Sequence, residues 1–318
     1  MDIPTVQSPL RPPLVRFLNI ISTKRSGHHA LIAWIEDSSL QRTQFFNNSV
    51  LQARTFEKLP ELARKQTEPT TVILNYEGIS PSGVAGALAR QKECDAVIDE
   101  VLFIRDPLNV CASLMRRRTN IRLKLFNVLR QMFALRNWLH EYQQKRTDAD
   151  LVFYNRWLSD YEYRNAFARR LSLNPVAIRS EISKFGGGSS FRDLSSGGSM
   201  AAPQLLNRWK HYKDDPIFQA IVGHSYFAGA FHALASGSIT DARGESDYDE
   251  ERASYFEKLR RQPQTSAYVS RMIDGLSRRQ EVFEQVEATR AGFYKRSLVL
   301  RAHVSALLAP APSSRATS

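Results

Sequence analysis

The stretch "VRFLNIISTKRSGHHALIAWI", residues 15–35, decides the fold, because it joins two apolar runs through a charged turn. The first run occupies residues 14–21 and has the length and composition of a buried parallel strand. The second run predicts a helix, since nearly every residue from 29 to 36 is apolar. A strand that continues into a helix through a short turn is the repeating unit of α/β proteins.

Three further runs predict strands, at residues 71–76 ("TVILNY"), 97–104 ("VIDEVLFI") and 151–154 ("LVFY"). Helical patterns follow at residues 108–118, 121–144 and 160–171. Strands that alternate with helices predict a central parallel sheet covered on both faces, which is a three-layer α/β/α fold. Residues 41–68 carry no such pattern, and we interpret them as a loop region.

The pattern changes at both ends of the predicted α/β domain, which spans residues 14–240. Residues 1–13 carry four prolines and are interpreted as an extended leader. A Gly/Ser-rich segment at residues 185–200 predicts a mobile loop, and a helix is expected after it, up to about residue 214. Residues 241–308 predict an appended helical region, and residues 309–318 a disordered tail.

The formal net charge of +12 over 318 residues favours an anionic partner. Cys94 and Cys111 are too few for a disulfide framework, and no Cys/His cluster has the spacing of metal ligands. The chain has no apolar run of about 18 residues, so we predict no membrane-spanning helix. It also lacks the pattern of a secretory signal, and a cytoplasmic location is the default expectation.

The turn at residues 22–28 is suited to an anion. Backbone N–H groups at a helix N-terminus, together with the helix dipole, bind phosphate and sulfate groups. Gly27 lets the backbone approach such a group closely, while Lys24 and Arg25 add fixed positive charge. The Walker A pattern GxxxxGK[ST] is absent, which disfavours an ordinary ATPase or GTPase.

A second stretch, "VLFIRDPLNVCASLMRRR" at residues 101–118, repeats the order of strand, charged turn and helix. Arg105 ends the strand, and Ser113 lies about two turns into the helix. Both are expected at the carboxyl edge of the sheet, where α/β folds bind ligands. The alternatives are an ion pair between Arg105 and Asp106, and a hydrogen bond from Ser113 to its own helix backbone.

"TKRSGHHA" and "RDPLNVCAS" together resemble two motifs of the sulfotransferase family that uses 3′-phosphoadenosine 5′-phosphosulfate (PAPS). In that family a PKSGTT-type loop binds the 5′-phosphosulfate, and an RDP…N…S motif binds the 3′-phosphate. The resemblance covers about residues 14–222 and implies a P-loop-like sulfotransferase fold. It implies 3′-phosphate contacts for Arg105 and Ser113, and 5′-phosphosulfate contacts for Lys24, Arg25, Ser26, Gly27, His28 and His29.

The chain also departs from the family pattern. His28 and His29 replace the usual hydroxyl pair, and Asn155 replaces an acidic residue in "LVFYNRWLSD". The family's RKGxxGDW-like loop is missing, and "FGGGSSF" at residues 185–191 occupies a comparable place. There Gly188, Ser189 and Ser190 are candidates to wrap the nucleotide, and a plain flexible linker is the alternative.

Sulfuryl transfer is an in-line displacement in which the protein supplies positioning and charge stabilisation. We expect Arg25, supported by Lys24, to neutralise charge on the leaving phosphate. Backbone N–H groups near Gly27 and a histidine imidazole would hold the sulfuryl oxygens. Glu77, His28 and His29 all stay open as the base that takes the acceptor's proton. No metal is expected.

The sequence therefore predicts a PAPS-dependent sulfotransferase that acts on a hydroxyl or amine of a glycan, lipid or small molecule. Two alternatives stay open: another nucleotide-dependent transferase, of kinase type, and a basic nucleotide- or anion-binding protein without catalysis. Nucleic acid is not an expected partner, because aromatic residues are only weakly interleaved with the basic ones. The helical tail leaves open a homodimer, a peripheral membrane contact or a cover over the acceptor cleft.

Overall fold

A computed structural model describes residues 14–47, 53–116, 121–144, 148–178, 202–262 and 266–277. Within these residues the chain forms one five-stranded sheet, in which all neighbouring strands are parallel. The strand order is β2-β3-β1-β4-β5. The strands are β1 (Val15–Ser22), β2 (Arg42–Phe46), β3 (Thr70–Glu77), β4 (Ala96–Ile104) and β5 (Asp150–Phe153). The α/β class predicted from the sequence is therefore confirmed.

Helices connect and follow the strands. The described α-helices are α1 (His28–Ser38), α2 (Ala53–Arg64), α3 (Ala85–Lys92), α4 (Pro107–Met115), α5 (Ile121–Gln143), α6 (Tyr154–Ser159), α7 (Tyr161–Arg170), α8 (Ala202–Leu206), α9 (Pro216–Val222), α10 (Ser225–Ala235), α11 (Glu250–Arg261) and α12 (Ala267–Ser277). Short 3₁₀ segments lie at Ser82–Val84 and Arg208–His211. No helix in this described part of the chain is long and apolar enough to cross a membrane.

The central strands are covered on both faces. Seven of the eight residues of β1 are buried, as are seven of the eight residues of β3. Such continuous burial is typical of strands in a parallel sheet that is packed between helices. On one face, Trp34 of α1 packs against Trp157 of α6 and Phe167 of α7.

The connections between strands leave the sheet toward opposite edges on the two sides of β1. The connection from β1 leads to β2 on one side, whereas the connection from β3 passes over β1 to β4 on the other side. Because crossovers between parallel strands are right-handed, α1 lies on the face opposite α3. The carboxyl end of β1 is then the place where an open α/β sheet forms a crevice for ligands.

Our interpretation of residues 41–68 as a loop region is wrong, because β2 and α2 lie there. β2 is a five-residue edge strand with no fully buried residue, so its sequence needs no continuous apolar run. A second difference follows β5, where residues 154–159 form α6 directly after the strand.

The described C-terminal residues pack onto the same core as the sheet. Phe256 and Leu259 of α11 and Val269 and Ile273 of α12 are buried in the hydrophobic cluster that contains the strands. Both helices lie within residues 241–308, the region for which the sequence predicts helices. The predicted leader (residues 1–13), the Gly/Ser-rich loop (185–200) and the tail (309–318) lie outside the described residues, as does the predicted helical region beyond residue 277.

A buried carboxyl group ties this C-terminal region to the domain. Asp247 is buried and accepts a hydrogen bond from Nδ2 of Asn155 in α6, at 2.8 Å. Burial, and after it the charge of Asp106, raises the pKa of Asp247 to about 8. Folding therefore retains a proton on this group that the unfolded chain releases near pH 4.

We predict that Asp247→Asn removes a pH-dependent loss of stability. The native pKa lies above the unfolded value, so the wild type should lose stability relative to the variant as pH rises from about 4 to about 8, by at most ~1.4 kcal/mol per pH unit. Asn at this position keeps an acceptor for Asn155. Urea unfolding at a series of pH values measures the difference, and Asp214→Asn on the surface should keep the wild-type profile. If the free energy of unfolding varied with pH in the same way for Asp247→Asn and the wild type, the raised pKa of Asp247 would be contradicted.

Candidate functional site

The first charged turn adopts a compact and strained conformation. Between the end of β1 and the start of α1, Arg25 has φ 68° and Gly27 has φ 89°. A left-handed conformation costs a non-glycine residue about 1 kcal/mol or more, so the surrounding structure must enforce it at Arg25. Two hydrogen bonds do so in part: Ser26 N–H donates to the Thr23 carbonyl at 3.3 Å, and Lys24 N–H donates to Gln131 of α5 at 3.0 Å.

The ring of Tyr154 occupies the space beside Gly27. A Cβ atom at Gly27 would lie 2.3 Å from Cε2 of Tyr154, which no real side chain tolerates. The same ring lies under the guanidinium of Arg105, with Cζ 4.6 Å from the ring centroid. Tyr154 is the first residue of α6, so β5 and α6 help to shape the turn.

Arg105 joins the second turn to the first. It is buried at the end of β4, and its Nη1 donates to the Arg25 carbonyl at 3.2 Å. Its Nη2 donates to the carbonyl of Leu205 in α8 at 2.7 Å. The two turns singled out in the sequence are therefore in direct contact, at the carboxyl ends of the adjacent strands β1 and β4.

Two other residues of the RDP…N…S stretch have structural roles. Asp106 caps α4 by accepting from Asn109 N–H at 2.9 Å, and it pairs with Arg252 of α11 at 3.6 Å rather than with Arg105. Asn109 donates to the Leu206 carbonyl at 2.6 Å and accepts from Trp209 N–H at 3.2 Å. These contacts hold the segment after α8 against α4.

Ser113 has a hydroxyl group that makes no hydrogen bond within the described part of the chain. It lies buried in α4, and its Oγ has no hydrogen-bond partner among the described residues. The bond to its own helix backbone, the alternative considered above, is therefore not formed. Within the same described part of the chain, Nε of Arg105 and Nε2 of His28 also lack a hydrogen-bond partner. Buried donors without partners are rare in folded proteins and call for an explanation.

Arg208 adds a cation that the sequence analysis missed. It is buried in the 3₁₀ segment Arg208–His211. Burial, and after it the charge of Arg105 with smaller effects of Arg116 and Arg25, lowers the pKa of Arg208 to about 9, so it stays charged at neutral pH. We call Arg25, Arg105, Arg116 and Arg208 the arginine cluster. No local signal marks Arg208, because only folding brings it to the other three.

The two histidines are neutral at pH 7. His28 is buried, with Nδ1 3.1 Å from Ser26 Oγ, and its ring centroid lies 4.2 Å from that of His29. Burial and the neighbouring His29 lower the pKa of His28 to about 3, and burial also lowers the pKa of His29. A base whose conjugate acid is this strong removes a proton from a hydroxyl group inefficiently.

Glu77 stands on the other flank of the first turn. It is the last residue of β3, half-buried, and is aligned with Ser22 of β1. The next residue, Gly78, donates its N–H to the Ser22 carbonyl at 2.7 Å, and a Cβ there would lie 3.9 Å from Cε of Lys24. The edge thus runs from Glu77 through the turn to Arg105, across two strand spacings or about 10 Å.

Gly188, Ser189 and Ser190, the remaining candidates for nucleotide contacts, lie outside the described residues. Over the part of the chain that is described, no group of three or more His, Cys, Asp or Glu side chains is arranged to hold a metal ion.

Fold and site define an α/β protein with a cationic site at the carboxyl edge of its parallel sheet. No protein-family model matches this chain, and a search of the curated proteins also gives no match.

We predict that Gly27→Ala disrupts the first turn. The new Cβ would clash with Tyr154, and φ 89° would add about 1–3 kcal/mol of strain. Gly86→Ala is the matched control, because a Cβ there meets no atom within 4 Å and alanine favours the exposed helix α3 by up to ~1 kcal/mol. Urea unfolding should show a large loss of stability for Gly27→Ala and no loss for Gly86→Ala. Equal stabilities would show that the turn tolerates a side chain at position 27.

Proposed function

We propose that this protein is a PAPS-dependent sulfotransferase with a P-loop-like sulfotransferase fold. Its acceptor would be a hydroxyl or amine group of a glycan, lipid or small molecule. One observation carries the proposal: Arg105 donates to the Arg25 carbonyl, so the turns after β1 and β4 form one cationic surface. A nucleotide with phosphate groups at two positions of its ribose needs two such anion sites side by side.

The groups at this edge suit an anionic nucleotide. The Ser113 hydroxyl and the Nε–H of Arg105 are buried donors without partners among the described residues, which supports a phosphate group between them. Lys24, Arg25 and the N–H groups at the start of α1 would hold the second anionic group. When bound, PAPS supplies a sulfuryl group attached to a good leaving group, the 5′-phosphate.

The first turn would stabilise charge during transfer. Lys24 and Arg25 are fixed cations beside the helix N-terminus, so they neutralise negative charge without first having to gain a proton. His28 can serve as a donor rather than a base. If Ser26 donates its hydroxyl hydrogen to Nδ1, the imidazole proton lies on Nε2, which has no partner in the described residues. A neutral imidazole then offers one hydrogen bond to an oxygen of the transferred group.

We assign the role of the general base, which takes the acceptor's proton, to Glu77. The low pKa of His28 makes its imidazole a weak base, and burial also lowers the pKa of His29. Glu77 lies at the same edge, on the far side of the turn from Arg105, and is only half-buried. The acceptor's proton would pass to its carboxylate as the acceptor oxygen or nitrogen attacks the sulfur.

We predict that Ser113→Ala weakens binding of adenosine 3′,5′-bisphosphate, the desulfated product, without loss of stability. The hydroxyl makes no hydrogen bond within the described fold, whereas a bond to a phosphate is worth about 1.5–3 kcal/mol, or roughly tenfold or more in affinity. Calorimetry measures the affinity, with Ser225→Ala on the surface as control.

Arg105→Ala should weaken binding further, although it also removes two hydrogen bonds to carbonyl groups. Its control is Arg90→Ala on the exposed face of α3. Unchanged affinity in the Ser113 and Arg105 variants would contradict the nucleotide assignment. Magnesium-dependent ATP binding in its place would favour the kinase-type alternative.

We predict that Glu77→Gln strongly slows sulfuryl transfer and leaves nucleotide binding unchanged. Loss of a general base lowers kcat by about 10²-fold or more, while the nucleotide contacts lie on the other side of the turn. Transfer from ³⁵S-labelled PAPS to an acceptor mixture measures the first quantity, and calorimetry with the desulfated product measures the second. Glu93→Gln on the surface is the control. If Glu77→Gln kept full activity, the base would have to be another group.

A further inference from the structure

The segment that carries Arg208 is fastened to the site on both sides. Before it, the Leu205 carbonyl accepts from Arg105, and the Leu206 carbonyl accepts from Asn109 and Arg252. After it, Trp209 N–H donates to Asn109 at 3.2 Å. These hydrogen bonds lie within three residues of Arg208 in the sequence. They hold its backbone against the β4 turn and α4 and leave it little freedom to move away.

This placement puts the buried guanidinium of Arg208 near three others, of which Arg105 is also buried and Arg25 and Arg116 are half-buried. Arg208 is only 7% exposed, and its electrostatic neighbours include Arg105, Arg116 and Arg25. Arg116 caps the C-terminus of α4 in a helical conformation, three residues after Ser113, which places both on one side of the helix. Burial of several like charges in one place disfavours the empty site and favours an anion with more than one charge.

We propose that Arg208 is a further ligand-binding residue of this site, and that its charge selects a doubly charged phosphomonoester over a singly charged phosphodiester. The inference rests on the proposed function for the identity of the nucleotide. A phosphomonoester carries about −1.5 to −2 charges at pH 7 and three acceptor oxygens. Planar guanidinium groups bind such an oxygen set through paired hydrogen bonds.

The test compares two ligands of equal size on the full-length chain. Adenosine 3′-monophosphate presents the phosphomonoester, and adenosine 2′,3′-cyclic phosphate presents the diester. The wild type should bind the monoester about tenfold more tightly or better. Arg208→Gln should lose most of that ratio, whereas the exposed Arg261→Gln should keep it. Calorimetry at pH 7.5 or above, where the monoester is fully ionised, measures both affinities for each variant.

Arg208→Lys covers the case in which the glutamine variant fails to fold. It keeps the charge without the planar fork, so the preference for the monoester should remain while the affinity for it falls. A wild-type preference that survives unchanged in Arg208→Gln, or disappears in Arg208→Lys, overturns the inference.

Failure of the proposed function is distinguishable from failure of this inference. If neither adenosine compound binds, but inorganic phosphate raises the melting temperature of the wild type and not of Arg208→Gln, the role of Arg208 in anion binding stands without the nucleotide. If the desulfated product binds the wild type and Arg208→Gln equally well, the proposed function stands and the role of Arg208 is refuted.

Discussion

The hydrogen bond from Arg105 to the Arg25 carbonyl is the contact on which the site depends. One guanidinium divides its donors between the turn after β1 and the end of α8, and the Tyr154 ring lies beneath it. A single buried side chain thus sets the relative positions of three chain segments that are far apart in sequence. Because its bonds go to carbonyl oxygens, Arg105 keeps its full positive charge for a ligand.

This arrangement places like charges together before any ligand binds. The lowered pKa of Arg208 shows that holding these charges together costs free energy, because burial and the neighbouring arginines both disfavour its charged form. Sites organised in advance in this way need little rearrangement when an anion arrives or when charge develops during a reaction. The neutral histidines add no titrating charge near pH 7. The pH dependence of anion binding near neutrality should then reflect the ionisation of the ligand more than that of the protein.

The sequence predicted β1, β3, β4 and β5 to within one residue at each end, because strands packed between helices need unbroken apolar runs. It failed for β2 and α2, where an edge strand is only half-buried. In the site, Gly27 and Arg105 carry local signals, since each stands in a turn between a strand and a helix. Arg208 has none: the carbonyl that Arg105 contacts near it is 100 residues further along the chain. Such a contact is decided by packing and cannot be found from local pattern.

The C-terminal residues bear on the site through the same packing. Arg252 of α11 donates to the Leu206 carbonyl, pairs with Asp106 and is itself buried. Two side chains, one from α4 and one from α11, therefore hold the carbonyl group that lies two residues before Arg208. In the sequence α11 belongs to a region interpreted as an appendage, yet its contacts fix the segment that completes the arginine cluster. The positive charge of the site is thus assembled from both halves of the chain, and the helices that follow the sheet are part of its scaffold.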